Sequence, residues 1–135
     1  MVTIQYAHIL IAVFAVVVAS ILYYIVLNKR YKQLLGEKPL ANGSYKISVT
    51  PNRLVVEIAR NYVLGLVIAY AIIFLGITEL NQAIILSLWL WVGFPLVILT
   101  GQVAHENYSK ALAAIHAGDW LIKLIIFCVI LTLLR

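Results

Sequence analysis

Charge is scarce in this sequence of 135 residues: 11% of the residues are Asp, Glu, Lys or Arg, and 64% are hydrophobic. A soluble domain has roughly 25% charged and 45–50% apolar residues. A soluble chain this short has too little interior to bury so much apolar surface. The composition therefore excludes intrinsic disorder and an ordinary soluble enzyme, and it predicts an integral membrane protein.

Cysteine is nearly absent, and so are the usual motifs of catalysis. Cys128 is the only cysteine, so no disulfide can form within the chain. There is no Cys-x-x-Cys pair, no glycine-rich phosphate loop and no serine elbow. The three histidines, His8, His105 and His116, lack zinc-site spacing, and we expect them to be solvated or hydrogen-bonded near the membrane surface. We therefore expect no metal, no cofactor and no nucleic-acid partner.

Four apolar stretches are long enough to cross a bilayer core of about 30 Å. We predict helices over 7–27, 51–78, 83–104 and 111–134 in one domain, 1–135. The predicted fold is all-α, an integral membrane four-helix bundle of two antiparallel hairpins. Pro95 predicts a kink in the third helix. The start of the fourth helix is open: an apolar run favours Ala111, whereas Asp119 is a suitable N-cap for a later start.

Positive charge is concentrated on two of the three connections. Residues 28–50 contain five Lys or Arg and one Glu, while residues 79–82 contain no Lys or Arg. The positive-inside rule then predicts that the first and third connections are cytoplasmic and that both termini lie outside the inner (plasma) membrane. Lys29, Arg30 and Lys32 directly follow the first helix, and we expect them to contact anionic membrane lipids.

Two parts of the sequence resemble a known family. One runs from Ser20-Ile21-Leu22-Tyr23-Tyr24 to Leu34-Leu35-Gly36, and the other is Leu88-Trp89-Leu90-Trp91-Val92-Gly93-Phe94, followed by Glu106 and Ile115-His116-Ala117-Gly118. These segments are similar to motifs of the domain-of-unknown-function 1761 family of four-span bacterial and archaeal membrane proteins, which tends to have Asn where this chain has His116. The resemblance implies a fold and a membrane location. It implies no reaction and transfers no functional residue.

Ionisable residues within the predicted spans are the candidates for function, because a charge at membrane depth is costly unless it is paired or hydrated. The candidates for binding or transport are Glu57, Arg60, His116, Asp119 and Lys123. If the fourth helix begins near Ala111, its three candidates lie on one stripe. That stripe would face Glu57 and Arg60 across a polar vestibule open to the cytoplasm.

Each of these residues also has a simpler interpretation. Asp119 would cap a later fourth helix, and Lys123 would extend back to the membrane surface. Glu57 would pair with a nearby arginine or bond Asn61 at the interface. The vestibule hypothesis further places Thr100 and Gln102 of the third helix in its wall.

Three functions fit the sequence. The preferred one is a homo-oligomeric channel or transporter-like protein, because four short spans rarely enclose a pathway alone. The alternative is an accessory or assembly subunit of a larger membrane complex, since the chain has almost no surface outside the bilayer. The third is an enzyme acting on a lipid or quinone through Glu57, Asp119 or His116, although no recognised catalytic spacing supports it. Small residues four apart, as in Gly65 and Ala69, allow close helix contact within or between subunits.

Overall fold

The structure, a computed structural model, describes residues 5–134; residues 1–4 and Arg135, on which the predicted outer position of the termini depends, lie outside the described residues. The helices are α1 (Tyr6–Val26), α2 (Asn28–Leu34), α3 (Pro51–Phe74), α4 (Leu80–Trp91), α5 (Val97–His105) and α6 (Lys110–Leu133). No strand occurs within this range. The predicted all-α fold is confirmed.

Four helical stretches between residues 5 and 134 are long and apolar enough to cross a membrane: Tyr6–Val26, Pro51–Phe74, Leu80–His105 and Lys110–Leu133. The third comprises α4, a π-helical turn (Val92–Leu96) and α5. Pro95 lies in that turn, where the wider winding accommodates a residue that has no N–H to donate. The chain is a multi-pass membrane protein with a helical-bundle fold.

Helix α6 is the central element of the bundle, in contact with α1, α3, α4 and α5. Phe127 and Cys128 of α6 are fully buried, together with Ile9 of α1 and Ile72 of α3. Gly65 permits the close approach of α3, because a Cβ there would lie 2.9 Å from the Phe127 ring. The buried residues of α3 all lie from Asn61 onward. The first ten residues of α3 are therefore more exposed, and Leu54 among them is partly buried against the core.

The α3–α4 connection lies at 75–79, earlier in the chain than the predicted 79–82. Gly76 has a φ of +65° and ends α3, and the Ile77 N–H donates to the Ile72 carbonyl over 3.0 Å. This pair of features is a Schellman motif. The side-chain oxygen of Gln82 accepts from the backbone N–H groups of Thr78 and Glu79, which starts α4 at Leu80.

Helix α6 begins at Lys110, which corresponds to the earlier of the two starts considered from the sequence. Asn107 takes a φ of +53° after α5 ends, and the Ser109 hydroxyl accepts a bond from the Leu112 N–H over 3.4 Å. Serine is a favoured N-cap because its side chain satisfies one of the free N–H groups of the first turn. As a result Asp119 lies inside the helix rather than at its end.

Candidate functional site

A cavity of about 410 Å³ lies where the carboxyl end of α1 meets α2, the beginning of α3 and the beginning of α6. We call this end of the bundle the basic end, because Lys32, Arg53, Arg60 and Lys123 line the cavity there. The volume is within the range of ligand-binding pockets, roughly 300–1,000 Å³. All five sequence candidates line the cavity: Glu57, Arg60, His116, Asp119 and Lys123. The structure thus brings them together, and their role in binding or transport stays a prediction.

Three of these residues form a charge cluster of Glu57, Asp119 and Lys123. The Lys123 Nζ atom lies 2.5 Å from Glu57 Oε1 and 3.0 Å from Asp119 Oδ2. Asp119 is 5% exposed and Lys123 is 7% exposed. Mutual pairing explains how the charges are accommodated in a span, because an isolated buried charge is strongly destabilising.

Neutral donors complete the charge cluster. The Ser20 hydroxyl on α1 donates to Asp119 Oδ1 over 2.6 Å, and the Asn61 amide donates to Glu57 Oε1 over 3.0 Å. The charge cluster therefore joins α1, α3 and α6. Asn61 was a sequence expectation, whereas Ser20 was not, although it belongs to the first segment of the family resemblance.

His116 lies next to the charge cluster and is surrounded by tyrosines. The Tyr24 hydroxyl is hydrogen-bonded to His116 Nδ1 over 2.7 Å. The ring centroids of Tyr31 and Tyr108 lie 5.9 and 6.4 Å from that of His116. Tyr31 belongs to α2, so its ring contact with His116 holds α2 across the end of the bundle. Across residues 5–134, no group of three or more His, Cys, Asp or Glu side chains is arranged to hold a metal ion.

The segments that carry the family resemblance meet on α6. The Tyr23 hydroxyl donates to the Ile115 carbonyl over 2.9 Å, and the Trp91 indole N–H donates to the Ala117 carbonyl over 2.8 Å. Gly118 is required by close packing, because a Cβ there would lie 2.3 Å from the Tyr23 hydroxyl. These contacts fix α1 and α4 against α6 beside the cavity.

Two groups of residues lie elsewhere than the sequence suggested. Thr100 donates to the Leu96 carbonyl of its own span, and neither Thr100 nor Gln102 lines this cavity. The reason is that α5 packs on α6, whereas the cavity lies among α1, α2, α3 and α6.

The lipid-contact candidates also divide. Lys29 and Arg30 are exposed on α2, whereas Lys32 lines the cavity and pairs with Glu37 over 2.7 Å. The backbone turns at Leu27, between α1 and α2, and this turn places Lys32 on the inner side.

The fold and the cavity define the class of this protein, a four-span membrane protein with a cavity at one end that is lined by both charged and apolar side chains. The family model described as "Protein of unknown function (DUF1761)" matches residues 6–132. The chain belongs to this family, which confirms the resemblance seen in the sequence. No curated protein and no solved structure matches the chain.

Proposed function

We propose that this protein is a transporter-like membrane protein whose basic-end cavity takes up a small polar or charged solute. The observation that carries the proposal is the buried charge cluster in the cavity wall. Replacing a buried ion pair by well-packed apolar residues is often neutral or stabilising, so stability alone is a weak reason to keep one. Within membranes, ionisable groups that face a cavity commonly mark the path of a solute or ion.

A transporter fits the packing better than a permanently open channel. The half of the bundle away from the basic end is filled by core side chains, including Ile9, Ile72 and Phe127. The cavity therefore gives access from one end, and passage requires a rearrangement that opens the other end. Alternating access of this kind is how membrane transporters use a binding site between helices.

The basic end faces the cytoplasm in this proposal, and the α3–α4 connection and both termini face outward. By the positive-inside rule, the basic connections that flank the cavity are retained in the cytoplasm. Lys29 and Arg30 are exposed on α2, where each charge near an anionic lipid surface contributes about 1 kcal/mol of binding.

Assembly into a homo-oligomer belongs to the same proposal. Phe14 of α1 and Trp89 of α4 are among the exposed apolar side chains of the spans, and either lipid or a second copy would cover such faces. The mass of the protein in mild detergent decides the matter. A symmetric oligomer of this chain supports the proposal, whereas a monomer contradicts oligomerisation, and a persistent larger partner favours an accessory subunit.

Cysteine accessibility in living cells tests transport without knowledge of the solute. In a Cys128→Ala background, Ser48→Cys reports on the cavity and Ala12→Cys on the core of the other half. We expect a membrane-impermeant maleimide to label Ser48→Cys in inverted vesicles. We expect the same reagent to label Ala12→Cys when it is added outside intact cells, because living cells supply the solute that drives the rearrangement. Phe14→Cys, exposed on the surface of the same helix, is the control and should stay unlabelled. An Ala12→Cys that never reacts would show a static bundle and contradict transport.

A further inference from the structure

The lining of the basic-end cavity has more positively charged side chains than its carboxylates pair with closely. Lys32 and Lys123 pair closely with carboxylates. Arg53 lines the cavity and has no ion-pair partner between residues 5 and 134. Arg60 has a single contact with Glu57, at 3.6 Å, and its side chain is 65% exposed. Two guanidinium groups are therefore available to a ligand.

The two arginines lie on one face of α3. They are seven residues apart, which is about two turns, so both side chains leave the helix on the same side. Both belong to the stretch of α3 before Asn61, which has no fully buried residue. A guanidinium group binds a carboxylate or phosphate through paired hydrogen bonds, so an anionic group fits this position.

Apolar side chains form another part of the cavity wall. Val17 and Ile21 contribute from α1, Leu54 from α3, and Ile47 and Val49 from the connection. A small hydrophilic anion would leave this surface in contact with water. A ligand that carries both an anionic group and a hydrocarbon chain would cover it and gain hydrophobic free energy.

We propose that the basic-end cavity binds an anionic amphiphile, with a carboxylate or phosphate headgroup at Arg53 and Arg60 and an apolar chain against Val17, Ile21 and Leu54. The inference rests on the proposed function in taking this cavity as the solute site. A free fatty-acid-like molecule and an anionic phospholipid share this chemistry. The ligand sits between α1 and α3 with its headgroup toward the basic end.

Native mass spectrometry of the full chain in an uncharged detergent tests the inference, with decanoate as the probe and decanol as its uncharged control. We expect decanoate to bind at least about tenfold more tightly than decanol, since charge-assisted hydrogen bonds are involved. The double variant R53Q/R60Q should lose about tenfold in decanoate affinity. The matched variant K38Q/K110Q removes the same charge from exposed positions outside the cavity lining, and it should change the affinity by less than about twofold.

A second arm distinguishes the two sources of the ligand. If added phosphatidylglycerol displaces decanoate one for one, the natural ligand is a membrane lipid; if decanoate stays bound, it is a free amphiphile. Equal binding of decanoate and decanol, or equal losses in the two double variants, would overturn the inference. Should R53Q/R60Q fold poorly, R53Q alone carries the test, because Arg53 makes no ion pair with the part of the chain that the structure describes. Labelling of Ala12→Cys does not depend on the class of ligand. The transport proposal is therefore tested separately, and it is not contradicted if decanoate does not bind.

Discussion

The Ser20 hydroxyl on α1 lies 2.6 Å from Oδ1 of Asp119 on α6, and the Lys123 ammonium lies 3.0 Å from Oδ2 of the same carboxylate. One neutral donor and one cation thus satisfy the two oxygens of a side chain that is buried in a membrane span. Removing either partner leaves part of the carboxylate without compensation. The arrangement makes Ser20 and Lys123 separately testable.

Ser20→Ala should destabilise the protein by about 1–3 kcal/mol, because a buried carboxylate oxygen loses its donor. Ser87→Ala is the matched control, since Ser87 is equally buried but its hydroxyl donates only to the Ile84 carbonyl of its own helix. We expect that control to change stability less than Ser20→Ala does, because no charged group loses a hydrogen-bond donor. Unfolding in mixed micelles of dodecyl maltoside and dodecyl sulfate measures both. Equal losses would show that Ser20 acts through packing alone.

Lys123→Ala should be more damaging, by about 3–5 kcal/mol, because it removes the cation shared by Glu57 and Asp119, and the exposed Arg60, 3.6 Å from Glu57, compensates for little of that loss. Lys110→Ala, at the exposed start of α6, should have almost no effect on unfolding. Adding Asp119→Asn to Lys123→Ala should recover part of the loss. A silent Lys123→Ala, or strictly additive effects in the double variant, would mean that the charge cluster contributes nothing to the fold.

Gly118→Ala should loosen the contact between α1 and α6. The added methyl group would lie 2.3 Å from the Tyr23 hydroxyl, so Tyr23 must move and give up its bond to the Ile115 carbonyl. We expect a loss of about 1–3 kcal/mol, typical of overpacking. Gly101→Ala is the control, because a Cβ there meets nothing within 4 Å. A Gly118→Ala variant as stable as Gly101→Ala would contradict this account of the contact.

The orientation can be measured on two exposed connections. In the Cys128→Ala background, Ser44→Cys lies in the α2–α3 connection and Thr78→Cys in the α3–α4 connection. We expect an impermeant maleimide added to intact cells to label Thr78→Cys alone, because positively charged connections are retained in the cytoplasm. Labelling of Ser44→Cys alone would show that the protein has the opposite orientation, with the cavity on the outer side of the membrane.

The four spans and the polar stripe of α6 could be predicted because long apolar runs and helical spacing are local properties of a sequence. The α3–α4 connection could not, since Leu75 and Ile77 continue the apolar pattern while Gly76 leaves the helix through its backbone conformation. Helix α2 could not be predicted as a separate helix for a similar reason. The turn at Leu27 that separates it from α1 has no distinctive residue.

The partners within the site depend on distant parts of the chain. Ser20 and Asp119 are 99 residues apart, and a lone serine in an apolar run does not indicate which helix it will face. The cavity itself results from packing: α3 meets the core closely at Gly65, whereas before Asn61 it has no fully buried residue and lines the cavity instead. Lys32 appeared equivalent to Lys29 in the sequence, and only the turn into α2 directs it toward Glu37.

The central position of α6 has a consequence for biosynthesis. Lys123 is 66 residues beyond Glu57 in the chain, and at about 5–20 residues per second the ribosome needs roughly 3–13 s to make that stretch. Throughout this interval Glu57 has no cationic partner on α6, so its carboxylate depends on Arg60 and Asn61 of its own helix and on surface water. Insertion of the early spans and closure of the bundle are therefore separate events, and the basic-end cavity first exists when the last of the four spans enters the bilayer.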